Sequence, residues 1–219
     1  TNGLDDTTDS HLTSARDIAI MSRELIKHEK ILQYSSIWMD TVRNGEFGLT
    51  NTNRLVRFYR GATGLKTGST SKAKFCISAT AKRDGMHLIA VIMGAPTRDI
   101  RNAEAAKLLD WGFANYSLYS YPSGEQGIIK LIGSKVDSIN CRTDGISIIV
   151  PKGCAEKVIV EKEMPEALSA PINEGDVIGK LKFWLNEELI GEANLESSDA
   201  AARITLAELL LNMLQKFIL

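Results

Sequence analysis

The chain is poor in the residues that would mark a metalloprotein, a disulfide-stapled fold or a nucleic-acid binder. It has 3 cysteines, Cys76, Cys141 and Cys154. Their odd number and wide spacing give neither a disulfide framework nor a zinc knuckle. The 3 histidines, His11, His28 and His87, have no metal-type spacing. The formal net charge is only -1, so no general affinity for polyanions follows, and nucleic acid is not an expected partner. No stretch of about 18 apolar residues runs without polar interruption, so there is no clear membrane span. There is no G-x-S-x-G elbow and no glycine-rich phosphate loop. No metal and no cofactor are expected. The chain opens at Thr1 without a signal peptide. A secreted protein whose leader has been removed would look like this, and so would a piece of a longer chain.

What is present is ordinary globular material. Hydrophobic residues make up 44% and charged residues 24% of 219 residues, enough for one large domain or two modest ones. Ser14 and Asp17 have capping-box spacing, and Ala15, Ile18, Met21 and Leu25 then recur at helical intervals. Residues 37–60 are polar and read as loops and short extended pieces, with Phe58-Tyr59 the expected buried part. A meander follows. Residues 65–70 form a short strand. Residues 73–80 alternate, with Phe75, Ile77 and Ala79 on one face. Arg83-Asp84-Gly85 makes a hairpin turn. Residues 86–93 are almost continuously apolar, as in a strand buried on both faces. Thr97 can cap a helix that runs to Trp111 and is closed by Gly112. Strands followed by a helix on an antiparallel hairpin read as α+β.

The texture changes after Tyr116. Residues 119–124 read as a linker. Strand-like runs at 128–132, 146–150, 157–161, 177–184 and 188–193 are separated by turn residues, which predicts a small all-β sandwich. Residues 200–219 have a helical stripe: Ile204, Ala207, Leu211, Leu214 and Ile218. That stripe fits either a helix packed on a neighbour or an anchor lying in a membrane surface. The predicted boundaries are residues 1–117, 118–199 and 200–219.

The segment that suggests chemistry is Lys66-Thr67-Gly68. A strand edge there can pair with an extended peptide. Lys66 sets a cation where a terminal carboxylate would lie. Thr67 adds a hydroxyl on the opposite strand face, so a local twist is needed for the two to converge. Gly68 lets a ligand approach the backbone closely. Taken alone, three residues could equally be a surface turn. Ser71 with Lys74, and Ser69 with Lys72, match Ser-x-x-Lys as strings. That chemistry needs both groups on one helical face. Here the segment enters a strand, where an offset of three puts side chains on opposite faces, roughly 10 Å apart. Ser138-Ile139-Asn140 matches Ser-x-Asn, but it falls in the all-β region, where a turn or strand-end role is expected.

K-T-G is one of the three motifs of β-lactamases and penicillin-binding proteins, beside S-x-x-K. The surrounding sequence resembles the low-molecular-mass penicillin-binding proteins, the serine-type D-Ala-D-Ala carboxypeptidases of the DacA/DacF kind. The resemblance rests on several motifs in order. The first are Asn2-Gly3-Leu4 with His11-Leu12-Thr13-Ser14-Ala15-Arg16-Asp17, and Asn51-Thr52-Asn53 with Gly64-Leu65-Lys66-Thr67-Gly68. Val91-Ile92-Met93-Gly94 and Leu108-Leu109-Asp110-Trp111-Gly112-Phe113 follow. Ala170-Pro171-Ile172 with Gly175-Asp176 and Gly179 closes the series.

The resemblance implies an α+β fold: the C-terminal portion of a penicillin-binding/β-lactamase-like transpeptidase domain, then the small β-sandwich and a C-terminal amphipathic helix. It implies removal of the terminal D-alanine from peptidoglycan stem pentapeptides through a serine acyl-enzyme that penicillins also form. It implies that the nucleophilic Ser and general-base Lys lie upstream of this sequence, so that this chain supplies no catalytic residue and is inactive alone. The residues carried over as substrate-binding are Lys66, Thr67, Gly68 and Arg101, the last beside the substrate carboxylate. His11 matches a recurrent family position without an assigned role, and Ser69 stands where some relatives have His. The implied partners are a stem peptide ending in D-Ala-D-Ala, β-lactams, a membrane surface met by the C-terminal helix, and a companion N-terminal chain. The implied location is extracytoplasmic, peripheral on the outer face of the cytoplasmic membrane. Two other readings share these motifs: a non-catalytic module positioned at the wall or membrane, and a β-lactamase-type hydrolase.

Overall fold

A computed structural model of the chain describes residues 11–211. The chain divides into two compact units between Ser117 and Leu118.

The first unit begins with α1 (Ala15–Leu25). Ser14 caps it, and the Asp17 carboxylate returns a bond to the Ser14 backbone, a complete capping box. Next come α2 (Glu29–Ser35), a hairpin of β1 (Met39–Val42) and β2 (Phe47–Thr50), and the single turn α3 (Leu55–Phe58). The expectation that Phe58 is buried is wrong. Phe58 is 76% exposed, while Leu55 enters the core and Tyr59 packs at its margin. A one-turn helix can aim only one side of itself inward, and Leu55 occupies that side.

The meander is β3 (Ala62–Thr70), β4 (Lys74–Arg83) and β5 (Met86–Ala95), in that spatial order and antiparallel throughout. Asp84 and Gly85 turn the β4–β5 hairpin with φ of 49° and 78°, as the Asp-Gly signal requires. β4 is central and is covered on both faces. Ile77, Ala79 and Ala81 point to α4 (Arg98–Asn115), where they meet Ala105 and Leu109. Ser78 points the other way and shares a buried 2.7 Å hydrogen bond with Ser22 of α1, so neither hydroxyl is left unsatisfied. Truncating Leu109 to Ala would cost roughly 2–5 kcal/mol at such a site. β5 is also flanked by α1 and α4, but it is a sheet edge and Met93 stays exposed.

Thr97 caps α4, its hydroxyl accepting from the Ile100 N–H. Gly112 does not close the helix, which continues to Asn115. A Cβ at Gly112 would lie 2.5 Å from a Leu88 methyl. The glycine serves close approach of helix to sheet, and its position near a helix end imitates a stop signal.

The second unit holds two sheets. β6 (Tyr116–Tyr121) pairs with β9 (Ile146–Pro151). The larger sheet contains β7 (Gly124–Ile132), β8 (Ser138–Thr143), β10 (Ile159–Glu163), β11 (Ala167–Ser169), β12 (Val177–Leu185) and β13 (Glu188–Ser197), in the order β10-β12-β13-β8-β7-β11. The segment predicted as a linker at 119–124 is largely strand, and β8 and β11 were not foreseen. Tyr119 and Tyr121 of β6 pack edge-on against Phe183 at 6.0 and 5.3 Å. Ile146 and Ile148 join them over a core of Ile129, Leu131, Ile139, Leu181 and Leu195. Asn140 of the Ser-x-Asn string bonds Asp199 from both its backbone and its side chain, while Ile139 is buried in that core.

The tail is tied to this unit by bridges between Ile172 and Ala201 and between Ser134 and Arg203. Residues 206–211 are helical, capped by Thr205 and Glu208 in a second capping box. Leu214 and Ile218 of the predicted stripe lie outside the described residues. Among the described residues no helix is long and apolar enough to cross a membrane.

Candidate substrate-binding cleft

Among the described residues β3 is an edge strand of its sheet, and its side chains alternate as a strand requires. Lys66 and Gly68 are exposed, whereas Thr67 is 8% exposed. The Lys66 ammonium turns back and donates to the Thr67 carbonyl. That bend brings the cation alongside the strand, instead of leaving it on the face away from the threonine. The Thr67 hydroxyl meets the Thr52 hydroxyl at 2.6 Å. Each hydroxyl can donate one hydrogen and accept others, so Thr67 keeps a donor for a ligand when Thr52 donates to it. Gly68 pairs with Cys76 across the sheet, and a Cβ there would meet nothing within 4 Å. The space beside its backbone is open.

The facing wall comes from Asn51-Thr52-Asn53. The Asn51 side chain accepts from the Asn53 N–H and donates to the carbonyls of Ser35 and Ile37. The Asn53 side chain accepts from the Leu55 N–H and donates 2.9 Å to the Gly64 carbonyl. These short polar side chains replace missing ladder bonds. They fasten the loop to β3 and so fix where Thr52 stands. From the sequence the triplet is a matching motif without an assigned role. Its local bonding capacity was the available signal.

The third wall is the first turn of α4. Arg101 is 3% exposed. Its guanidinium donates to the Thr52 carbonyl at 3.4 Å and to the Asn102 amide oxygen at 3.0 and 3.2 Å. Among the described residues no carboxylate pairs with it. Burial, and then the neighbouring Arg98 cation, push its pKa down from the usual guanidinium range. Lys66, Thr67, Gly68 and Arg101 line one cleft of about 710 Å³, together with Thr52, Arg98 and Asn102 and an outer rim of Trp38 and Phe58. The two rim rings pack edge-on at 6.0 Å. No Asp or Glu lines this cleft. A buried, unneutralised guanidinium beside a lysine, two hydroxyls and an open strand edge suits an extended chain ending in a carboxylate.

Neither Ser-Lys string lies on a helix. Ser71 and Lys72 lie in the β3–β4 turn, Lys74 opens β4, and Ser69 is in β3. The sequence expectation had Ser71 and Lys72 entering the strand, but the turn takes them first. β3 also borders a second cavity of about 490 Å³ on the α1 side, lined by apolar groups of Ile18, Met21, Leu25, Leu65 and Val91 with His11 at its edge.

A sequence profile of the D-alanyl-D-alanine carboxypeptidase family matches residues 1–97. The profile of the penicillin-binding protein 5 C-terminal domain matches residues 128–203. D-alanyl-D-alanine carboxypeptidase DacF of Bacillus subtilis is 36% identical over 200 residues, covering 88% of this chain and 51% of the relative. DacA of Haemophilus influenzae is 30% identical over 213 residues, covering 89% and 50%. The crystal structure of penicillin binding protein 5 from Haemophilus influenzae superposes with a TM-score of 0.75 at 30% identity, covering 87% of this chain and 57% of that one. The chain spans about half the length of the curated relatives it matches. With two family profiles in order along the sequence and a relative sharing its fold, the chain matches the D-alanyl-D-alanine carboxypeptidase family over residues 1–97 and the penicillin-binding protein 5 C-terminal domain over residues 128–203.

Proposed function

We propose that this chain forms the carboxylate-binding wall of a penicillin-sensitive serine D-Ala-D-Ala carboxypeptidase. The observation that carries the reading is the convergence of Lys66 and Thr67 with a buried Arg101 that lacks an acidic partner. The stem peptide lies along the edge of β3, with its backbone pairing to the strand at Gly68. Its terminal carboxylate meets Lys66, Thr67 and Arg101. A carboxylate in that place relieves the desolvation cost of Arg101 and is held by charge-assisted bonds, which orients the scissile bond. A serine then attacks the carbonyl carbon between the two D-alanines. The leaving D-alanine departs as the amine with the proton taken from that serine, and water hydrolyses the acyl-enzyme.

In this reading the nucleophilic Ser and the general-base Lys come from polypeptide outside this chain, joined to it or supplied as a companion N-terminal piece. The apolar cavity between α1 and β3 supports that arrangement, because it offers a packing surface directly behind the substrate strand. β-lactams occupy the same cleft through their own carboxylate. The enzyme works outside the cytoplasmic membrane, on its outer face. Leu206, Leu209, Leu210 and Leu211 are all exposed on the tail helix, which supports a role for it at the membrane surface. The domain boundaries in this reading are residues 1–117 for the catalytic-domain part, 118–199 for the β-sandwich and 200–219 for the anchor.

Intact-mass spectrometry after incubation with benzylpenicillin tests the division of labour. The chain alone is expected to carry no covalent adduct. A stable adduct mapped to one of its own serines would contradict the proposal.

A further inference from the structure

We infer that the cleft selects a ligand with a second anionic group besides the terminal carboxylate, and that Arg98 receives it. This inference rests on the carboxylate reading of the cleft given above and names the class of peptide it takes.

The charges around the cleft do not balance against one carboxylate. Lys66, Arg54, Arg98 and Arg101 all line it, and no acidic side chain does. Arg54 is partly neutralised by Asp99 at 3.3 Å, with both side chains well exposed. One ligand carboxylate shared by Lys66 and Arg101 leaves Arg98 unanswered. Arg98 makes no ion pair among the described residues; its guanidinium lies 5.9 Å from the centre of the Phe75 ring.

The position of Arg98 is itself unfavourable. It is the first residue of α4, and Arg101 follows one turn later. A helix N-terminus carries partial positive charge and favours acidic side chains. Two arginines there oppose the dipole and each other, and the mutual repulsion reaches the buried Arg101. Asp99 is the acidic residue of that turn, but its carboxylate pairs with Arg54, so Arg98 is left to be answered by a ligand. Arg98 also stands at the right place along the strand. It lines the same cleft as Gly68 and Ser69. A peptide following the β3 edge past Gly68 therefore runs by Arg98.

The ligand chemistry is a D-Ala-D-Ala peptide with a free carboxylate in one of the preceding residues. Two sources would supply it: an acidic side chain on the residue before the D-alanines, or the α-carboxylate of a γ-linked glutamate one residue earlier. An amidated or purely cationic stem peptide lacks both.

Titration of the full chain with matched probe peptides, followed by isothermal calorimetry, tests this. The first pair is N-acetyl-L-Glu-D-Ala-D-Ala against N-acetyl-L-Gln-D-Ala-D-Ala. The second is N-acetyl-γ-D-glutamyl-L-Lys-D-Ala-D-Ala against its D-isoglutaminyl analogue. In one pair the acid is expected to bind about five- to tenfold tighter than the amide at low salt, with the ratio shrinking towards one near 0.5 M salt. The pair that shows it identifies the source. Arg98→Gln is expected to bring the ratio close to one, and Arg98→Lys to restore part of it. Equal binding of acid and amide in both pairs overturns the inference, as does a preference that survives Arg98→Gln. If no peptide of either pair binds, the carboxylate reading of the cleft fails first and this one falls with it.

Discussion

Each residue of Lys66-Thr67-Gly68 has a separable physical job. Lys66 is a cation bent onto its own strand, Thr67 is a buried hydroxyl tied to Thr52, and Gly68 keeps space open. The last of these gives a clean test, because ligand binding and folding make opposite demands on Gly68. A methyl at Gly68 touches nothing in the free protein, so Gly68→Ala is expected to leave stability within about 0.5 kcal/mol. In the proposed binding mode the same methyl stands where the peptide backbone approaches, so affinity for a D-Ala-D-Ala peptide should fall at least about tenfold. Thermal melting and peptide titration of the one variant read both effects. Loss of stability with unchanged affinity would reverse the assignment. At this scale the sequence was informative about chemistry and silent about support. Lys66, Thr67 and Gly68 could be named from their order in the chain. The partner that fixes Thr67, the Thr52 hydroxyl, could not, because it comes from a loop brought near only by folding.

Among the elements, the sequence was legible wherever one local rule acted alone. The capping box of α1, the Asp-Gly hairpin and the Thr97 cap could all be read directly. It misled where two rules compete for one residue. Gly112 looks like a helix stop but is a contact point for Leu88. β6 looks like a linker because tyrosine and serine are common in loops, yet its tyrosines cover Phe183. β8 reads as polar because only alternate residues, Ile139, Cys141 and Thr143, face inward, and Thr143 is itself polar. One acidic side chain, Glu208, takes part in capping the tail helix. Lys135 lies 2.5 Å from Glu208, and Thr205 completes the cap. Lys135 first, then the Thr205 bonds, hold the Glu208 carboxyl down at about 2. A depressed carboxyl stabilises the ionised, folded form. Its contribution is complete above the ordinary value of 4.5 and is lost as pH falls from there through about 2. Helical Cα chemical shifts over 206–211 should therefore decline across that window. In Glu208→Gln they should be reduced at neutral pH and flat with acid. A decline that persists in Glu208→Gln would assign the effect to another group.

For the molecule as a whole, two units with separate cores accompany two family profiles, one on each unit. The fold class was readable because strand and helix signals changed character near residue 117. The cleft was not, since its walls come from residues as far apart as Trp38 and Asn102. If the tail holds the protein at a membrane, flotation with anionic liposomes should be lost when residues 200–219 are removed, and unchanged flotation would end that idea. The central claim concerns the cleft. It is tested most directly by a nuclear magnetic resonance titration of the chain with N-acetyl-D-Ala-D-Ala and with the same dipeptide as its C-terminal amide. The carboxylate form is expected to shift the backbone signals of residues 66–69 and Thr52 and the side-chain signal of Arg101, and the amide form to bind at least about tenfold more weakly. Equal shifts from the two forms, or shifts confined to residues outside this cleft, would contradict the account.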